Sequence, residues 1–361
     1  VPLRPLAPLV LVLLMLAPTA QAKTHRAPEP PRRSTVAIVG DSIVESGQVP
    51  SPDEHGLAAA LRVEVARRHV DPGASGFVAA HPTELGPVLE PQAGRGDWRY
   101  RGPWQWLSRY PKKRAPVVSL ATSPASSAST IARRADTATL LYYAGPTLGS
   151  FAFAAGPTTK VLHSHAGRYR LRRRTIRLHH RGNQTVNVHP VSGDLGLVGV
   201  FLRRAPRADR RQVEFTSMGI SGQTAAGATI PSFAAGLATL RPDVTIILLG
   251  TNDGIRFAAT GDRHGLTAMR DGLVARGRVA RTTGRCVMVP PAHGRFAAPV
   301  YAALRDEVRR AARAAHCDVA DALSILDHVH GLTVDGIHPT SAGYARIARK
   351  LAPEVLALTR R

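Results

Sequence analysis

The chain has 361 residues, 48 of them Lys or Arg against 25 Asp or Glu, for a formal net charge of +23 at pH 7. That length holds one large domain or two medium ones, and an apolar share of 44% marks a globular chain rather than a disordered one. The charge is almost all arginine, with lysine only at positions 23, 112, 113, 160 and 350. It is spread along the chain and not gathered in one recognition element, so no nucleic-acid partner is expected, while attraction to an anionic cell-wall polymer is compatible with it.

Arg4 precedes an apolar run from Leu6 to Leu16, followed by Ala20-Gln21-Ala22. This order predicts a secretory signal peptide over residues 1–22, cut after Ala22. The run is shorter than the roughly 20 residues that cross a bilayer, and no later segment qualifies. The protein is therefore expected to be exported, periplasmic or extracellular, with no membrane span after cleavage. Residues 23–34, rich in Pro and basic side chains, read as a flexible leader.

Val36 to Val39 read as a strand buried on both faces, ending abruptly at Gly40-Asp41-Ser42. Pro52-Asp53-Glu54 opens a helical pattern through Leu57, Leu61, Val65 and Ala66, and residues 73–81 read as a glycine-bearing loop. Residues 35–86 thus start an α/β domain. Over 87–211 the helical period gives way to short β-type runs at 117–121, 137–143, 150–154, 159–163, 169–178, 185–191 and 195–202. Their spacing predicts an inserted antiparallel β-sandwich, with the Ser/Ala-rich stretch 122–130 as a loop.

The α/β rhythm resumes over 212–361. Strands are predicted at 213–216, 244–249, 286–289 and 318–320, and helices at 231–240, 266–279, 299–315 and 341–358. The last helix carries Tyr344, Ile347, Ala348 and Leu351 on one face, with Thr340 or Ser341 as its cap. Strands alternating with helices predict a mostly parallel sheet between two helical layers, a three-layer α/β/α fold interrupted by the sandwich.

Ser42 falls at a strand's carboxyl end, where open α/β sheets bind ligands. Three later stretches should open on the same edge: Gly219-Ile-Ser-Gly222, Gly250-Thr251-Asn252-Asp253 and Asp335-Gly336-Ile337-His338-Pro339. Together they hold what acyl transfer needs. A serine hydroxyl needs a base, and the base needs a partner that fixes its tautomer. His338 and Asp335, three residues apart in a tight turn, can be that pair. Backbone N–H groups of Ser42 and Gly222, with the Asn252 amide, can stabilise the oxyanion. Gly219 is a second candidate glycine, and Asp253 reads as a loop-organising residue.

These blocks, in this order, resemble those of the SGNH (GDSL) hydrolase family, over about residues 34–82 and 212–358. The resemblance implies a three-layer fold with Ser42 as nucleophile, His338 as base and Asp335 as its partner. It implies Ser42, Gly222 and Asn252 as the oxyanion hole, and no cofactor. Where the family often carries Asn in its second block, this chain has Ser217. A sandwich inserted after the first block of an exported chain is similar to bacterial peptidoglycan O-acetylesterases with a carbohydrate-binding-like module. The expected function is an exported serine esterase removing O-acetyl groups from peptidoglycan or another polysaccharide. Esterases for longer acyl chains, a polysaccharide O-acetyltransferase and a non-enzymatic wall-binding protein are the alternatives.

Trp98, Trp104 and Trp106 open the inserted region, beside Tyr100 and Tyr110. Their faces can stack on the sugars of an acylated carbohydrate or pack one domain onto another. Cys286 and Cys317, each at the start of an apolar run, can form a disulfide in an exported protein or remain two buried thiols. His163, His165, His179, His180 and His189 lack Cys or carboxylate company at ligand spacing, so no metal is expected.

Overall fold

The computed structural model describes residues 33–46, 49, 55–74, 76–79, 92–93, 98–107, 118–179, 182–207, 209–219, 222–227, 230–327 and 329–360. The signal-peptide and leader readings over 1–32 and the helix opening at Pro52-Asp53-Glu54 lie outside these residues. In chain order the elements are strand β1 (Arg33–Gly40), helices α1 (Ser42–Glu45) and α2 (Leu57–Arg67), and strands β2 (Gly76–Ala79), β3 (Gln92–Ala93), β4 (Arg99–Arg101) and β5 (Trp104–Leu107). Then come β6 (Val118–Ala121), β7 (Ser127–Ala132), β8 (Thr137–Ala144), β9 (Ser150–Ala155), β10 (Thr158–His163), β11 (Arg170–Arg177), β12 (Gln184–Ser192), β13 (Leu195–Arg203) and β14 (Gln212–Gly219). The remainder is α3 (Ile230–Leu240), β15 (Val244–Leu248), α4 (Thr251–Thr260), α5 (Arg263–Thr283), β16 (Arg285–Met288), α6 (Ala298–Ala315), β17 (Asp318–Val319) and α7 (Ser341–Leu358).

β1 lies between β14 and β15, parallel to both, with Gly40 in register with Gly219 and Leu248. Beyond β15 the parallel pairing continues through β16 to β17. Alternate β1 residues serve two cores, which explains its unbroken apolar run. Val36 and Ile38 join Leu57, Leu61 and Val65 of α2 with Tyr344, Ile347 and Leu351 of α7. Ala37 and Val39 join Phe233 and Leu237 of α3, Met269 and Leu273 of α5, and Leu304 and Val308 of α6. Arg33 and Ser34, expected in the leader, belong to β1, where the Arg33 guanidinium reaches Gln212 at 2.9 Å.

On its other side the sheet does not end. β2 pairs with β14 in parallel and with β13 antiparallel, and β13 pairs with β8, which pairs with β11. The path is β11-β8-β13-β2-β14-β1-β15-β16-β17, with β6 on β13 and β5 on β6. A second sheet, antiparallel throughout, runs β10-β9-β12-β7-β4-β3. The two sheets share a core of Trp98, Tyr100, Phe151, Phe153, Val186 and Val188 with Leu140, Leu197, Val200 and Leu202. The stretch that the sequence presents as a separate sandwich therefore shares a sheet with the α/β part. Side-chain alternation reports which face of a strand is buried but not which neighbour its edge pairs with.

Ser127–Ala132, inside the stretch expected to be a loop up to residue 130, is strand β7, with Ala128, Thr130 and Ala132 buried. Its inward residues are too small to mark a hydrophobic period. Gly76–Ala79, also read as loop, is the strand that joins the parallel and antiparallel halves. Cys286 and Cys317 are joined in a disulfide, with Cα atoms 4.9 Å apart. Among the described residues no helix is long and apolar enough to cross a membrane.

Candidate active site

Gly40 ends β1 where a Cβ would run into the Leu248 carbonyl and the Val44 side chain, so the chain can turn there only without a side chain. Asp41 caps the short helix α1, its carboxylate accepting the Ile43 N–H at 3.0 Å. This holds Ser42 at the first helical position, on the sheet's carboxyl edge. Two bonds anchor the helix from outside: the Ser217 hydroxyl donates to the Val44 carbonyl at 3.1 Å and the Tyr344 hydroxyl to the Ile43 carbonyl at 2.8 Å. Ser217 is where the chain departs from the family's usual Asn.

Ser42 Oγ lies 2.9 Å from His338 Nε2, and His338 Nδ1 lies 2.7 Å from Asp335 Oδ2. The turn between them follows from local chemistry. Asp335 Oδ1 accepts the backbone N–H of Ile337 at 3.0 Å and of His338 at 2.8 Å, closing an Asx-type turn. Gly336 takes φ +84°, a conformation that glycine adopts without strain. Burial works against a charge on Asp335. The His338 backbone N–H, its ring and the Ile337 N–H outweigh it and hold the carboxyl at about 2. An ionised Asp335 fixes the Nδ1–H tautomer and leaves Nε2 free to accept the serine proton.

Asn252 and Asp253 occupy the first turn of α4, where the sequence reading foresaw only a glycine-bearing stretch. Asn252 Nδ2 donates to the Gln223 carbonyl at 2.8 Å, which sets the amide beside the loop headed by Gly222. Gly222 is exposed with φ +71°, one residue from that carbonyl. Asp253 accepts the N–H groups of Ala225 at 2.8 Å and Ala226 at 3.3 Å. From the other side Arg276, 2% exposed, donates to the carbonyls of Ala225, Gly227 and Thr224. A buried carboxyl and a buried guanidinium thus hold one loop, the first by its N–H groups and the second by its carbonyls. Burial raises the Asp253 carboxyl and lowers Arg276 to about 10, each offset by the other's charge.

Arg276 was not foreseen. Its signal is its position: it falls on the helical stripe of Leu266, Met269, Leu273 and Ala280, where a charge needs a reason. The tryptophans need correction. Trp98 and Trp104 are 1% and 0% exposed, packed with Tyr100, and their indole N–H groups donate to the carbonyls of Val78 and Arg101. Neither offers a face to a sugar, because the aromatic area is spent in the core between the sheets. The side chain of Trp106 lies outside the described residues. His163 and His179 bond to Ser150 and Thr158 at 2.8 Å, and among the described residues no cluster is arranged to hold a metal ion.

A sheet whose carboxyl edge gathers a serine, a histidine and an aspartate in hydrogen-bonding order defines a class, the serine hydrolases. The chain belongs within it to the GDSL-like Lipase/Acylhydrolase family, whose model matches residues 157–346, and it is a carboxylic ester hydrolase. The matched stretch contains Gly222, Asn252, Asp335 and His338, while Ser42 precedes it. Among solved structures, "Peptidoglycan O-acetylesterase in action, 5 min" matches with a TM-score of 0.63 and 16% identity, over 91% of this chain and 92% of that one. At that identity the likeness is one of fold, the SGNH hydrolase fold. TesA matches at 24% identity and TM-score 0.35 over 42% of this chain and 80% of its own. A catalytic mutant of the acetylxylan esterase Axe2 from Geobacillus stearothermophilus matches at 18% identity and TM-score 0.34, over 40% and 72%. No curated protein sequence matches.

Proposed function

We propose that the protein is an exported serine esterase that removes O-acetyl groups from peptidoglycan or another polysaccharide through an acyl-serine intermediate. The observation that carries this reading is the unbroken run of hydrogen bonds from Ser42 through His338 to Asp335. Ser42 Oγ attacks the acetyl carbonyl carbon while His338 Nε2 takes its proton. The same nitrogen returns that proton to the departing sugar oxygen, leaving acetyl on Ser42. Water then adds with His338 again as base, and acetate leaves as the serine proton is restored. The N–H groups of Ser42 and Gly222 and the second amide hydrogen of Asn252 stabilise the oxyanion at both tetrahedral stages. Asp335 stays ionised throughout and orients the ring.

In this reading residues 1–22 are the signal peptide, 35–86 and 212–361 are a three-layer hydrolase part, and 87–211 is the inserted part that meets the carbohydrate. The cores on both faces of β1 support the layers, and the facing sheets support the insertion. The likeness over nearly the whole length of a peptidoglycan O-acetylesterase supports the substrate class. The test has two arms. Ser42→Ala should abolish release of p-nitrophenol from its acetate ester with the fold intact, and undiminished turnover would overturn the mechanism. Acetate release from O-acetylated peptidoglycan, xylan and alginate identifies the polymer, and a preference for acyl groups beyond about four carbons would overturn deacetylation.

A further inference from the structure

Although arginine is found along the whole sequence, five, at positions 170, 172, 173, 174 and 177, are concentrated on the eight residues of β11, which corrects the expectation that the charge gathers in no single element. Most are exposed, and no Asp or Glu occurs between His165 and Gly193. Elsewhere in the chain arginines reach carboxylates, as Arg204 does Asp71, Arg305 does Asp321 and Arg310 does Glu307. Among the described residues no carboxylate pairs with the five on β11. Like charges along one strand repel one another, and an external polyanion relieves that repulsion.

Their placement is ordered. Among the described residues β11 is one edge of the large sheet, and β10 is one edge of the second sheet. The Thr158 hydroxyl, at the start of β10, lies 2.8 Å from His179, just past the end of β11, and a short link joins His163 to Arg170. The two edge strands therefore flank one open side of the two-sheet region. Arg170, Arg172 and Arg174 share the face of β11 that carries Ile176, a residue of the core between the sheets. Lys160 lies likewise on the face of β10 that carries Leu162. A cationic strip thus runs along that opening.

We propose that this strip docks a linear polyol-phosphate polymer. Alternate strand residues stand about 6.8 Å apart. Three extended backbone bonds span roughly 3.6 Å, so a repeat of six bonds between phosphates spans roughly 7 Å, one phosphate per inward arginine. The planar guanidinium fork matches phosphate oxygens in pairs. A single-stranded nucleic acid has a similar charge repeat, but its binding relies on exposed rings for base stacking. Of Phe, Tyr and Trp, the stretch from His165 to Gly193 contains one residue, Tyr169, and it lies against Gly145 with its hydroxyl 2.8 Å from Thr147. Polymer docking at this edge is separate from ester cleavage at Ser42.

The test is binding of synthetic poly(glycerol phosphate) to the whole protein across a salt series. Arg170→Thr, Arg172→Thr and Arg174→Thr together should weaken binding at least tenfold and flatten the log–log salt dependence by about 2, at about 0.7 per lost contact. Turnover of p-nitrophenyl acetate should be unchanged, which reports both the fold and the independence from the active site. The corresponding triple Lys variant should keep binding within several-fold. Wild-type affinity in the Thr variant overturns the proposal, as does an equal loss in a control carrying Arg278→Gln, Arg281→Gln and Arg313→Gln. Tighter binding of an oligothymidylate than of the polyol phosphate overturns the assigned partner.

Discussion

The Tyr344 hydroxyl donates a 2.8 Å hydrogen bond to the carbonyl of Ile43, the residue after Ser42. Tyr344 is fully buried and lies in the first turns of α7, the helix that begins just after His338. One helix therefore both carries the histidine at its threshold and ties down the turn that presents the serine. Tyr344→Phe keeps the ring but removes the shorter of two hydroxyl donors to the Ile43 carbonyl, leaving the Ser46 hydroxyl at 3.3 Å, at a cost of about 0.5–1.5 kcal/mol. The urea midpoint should fall accordingly with the m-value unchanged, and kcat should fall more than KM changes, since the serine loses its fixed distance from Nε2. An unaltered midpoint would show that the bond contributes nothing net.

Asn252→Ala should lower kcat by about 10²–10³ with little change in KM, the range seen on removal of a single oxyanion donor. Arg276→Met acts one step further out. It removes the Arg276 guanidinium from the loop carbonyls of Ala225 and Gly227, leaves Thr224 only the Gly227 N–H, and takes the counter-charge from Asp253. Loop and amide then lose their mutual register, so kcat falls through misplaced donors while the Ser42–His338 pair stays intact. Steady-state kinetics check both. In the double variant the two losses should be less than additive if Arg276 acts through Asn252.

How much of this was legible beforehand depends on what each residue answers to. The meeting of Ser42, His338 and Asp335 was readable because acyl transfer admits few residue types and the chain presents them in a strand-end turn and in the turn before the last helix. The turn at Asp335 was readable for the same reason, since its carboxylate both bends the backbone and meets the ring. The continuity of the sheet through β2 was not, because edge pairing leaves no mark on side-chain alternation. Nor was the burial of Trp98 and Trp104, whose faces suit a sugar and a core equally well. β7 went unseen because Ala128, Thr130 and Ala132 fill a narrow space between sheets with little apolar surface.

The Cys286–Cys317 disulfide closes a sequence separation of 31 residues at the amino-terminal side of β16 and β17, opposite the edge that holds Ser42. Replacing both cysteines by alanine should cost about 2–4 kcal/mol of stability through the freer unfolded chain. Turnover of p-nitrophenyl acetate at 25 °C should be unaffected. Thermal denaturation of the two proteins measures the first and steady-state rates the second. A thiol titration of the denatured wild-type protein without reductant should find no free thiol, and two would contradict the bond.

Asp41 gives the pH dependence its sign. It is fully buried beside Ser42, and burial pushes its carboxyl up to about 6, despite the Ile43 N–H, the charge of His338 and the Thr251 hydroxyl, which favour the anion. The unfolded value is about 3.9, so between the two values the native chain binds more protons than the unfolded one. The resulting stabilisation is complete below about pH 4 and is lost as pH rises through about 6. Its magnitude is on the order of 2–3 kcal/mol. Asp41→Asn keeps an oxygen to cap Ile43 and removes the titration. Its urea-denaturation profile should therefore lack the decline that the wild type shows between pH 4 and 6, and the variant should be more stable relative to wild type at pH 7 than at pH 4. Parallel profiles across that range would mean that Asp41 has the same proton affinity folded and unfolded, and that its burial is compensated in full.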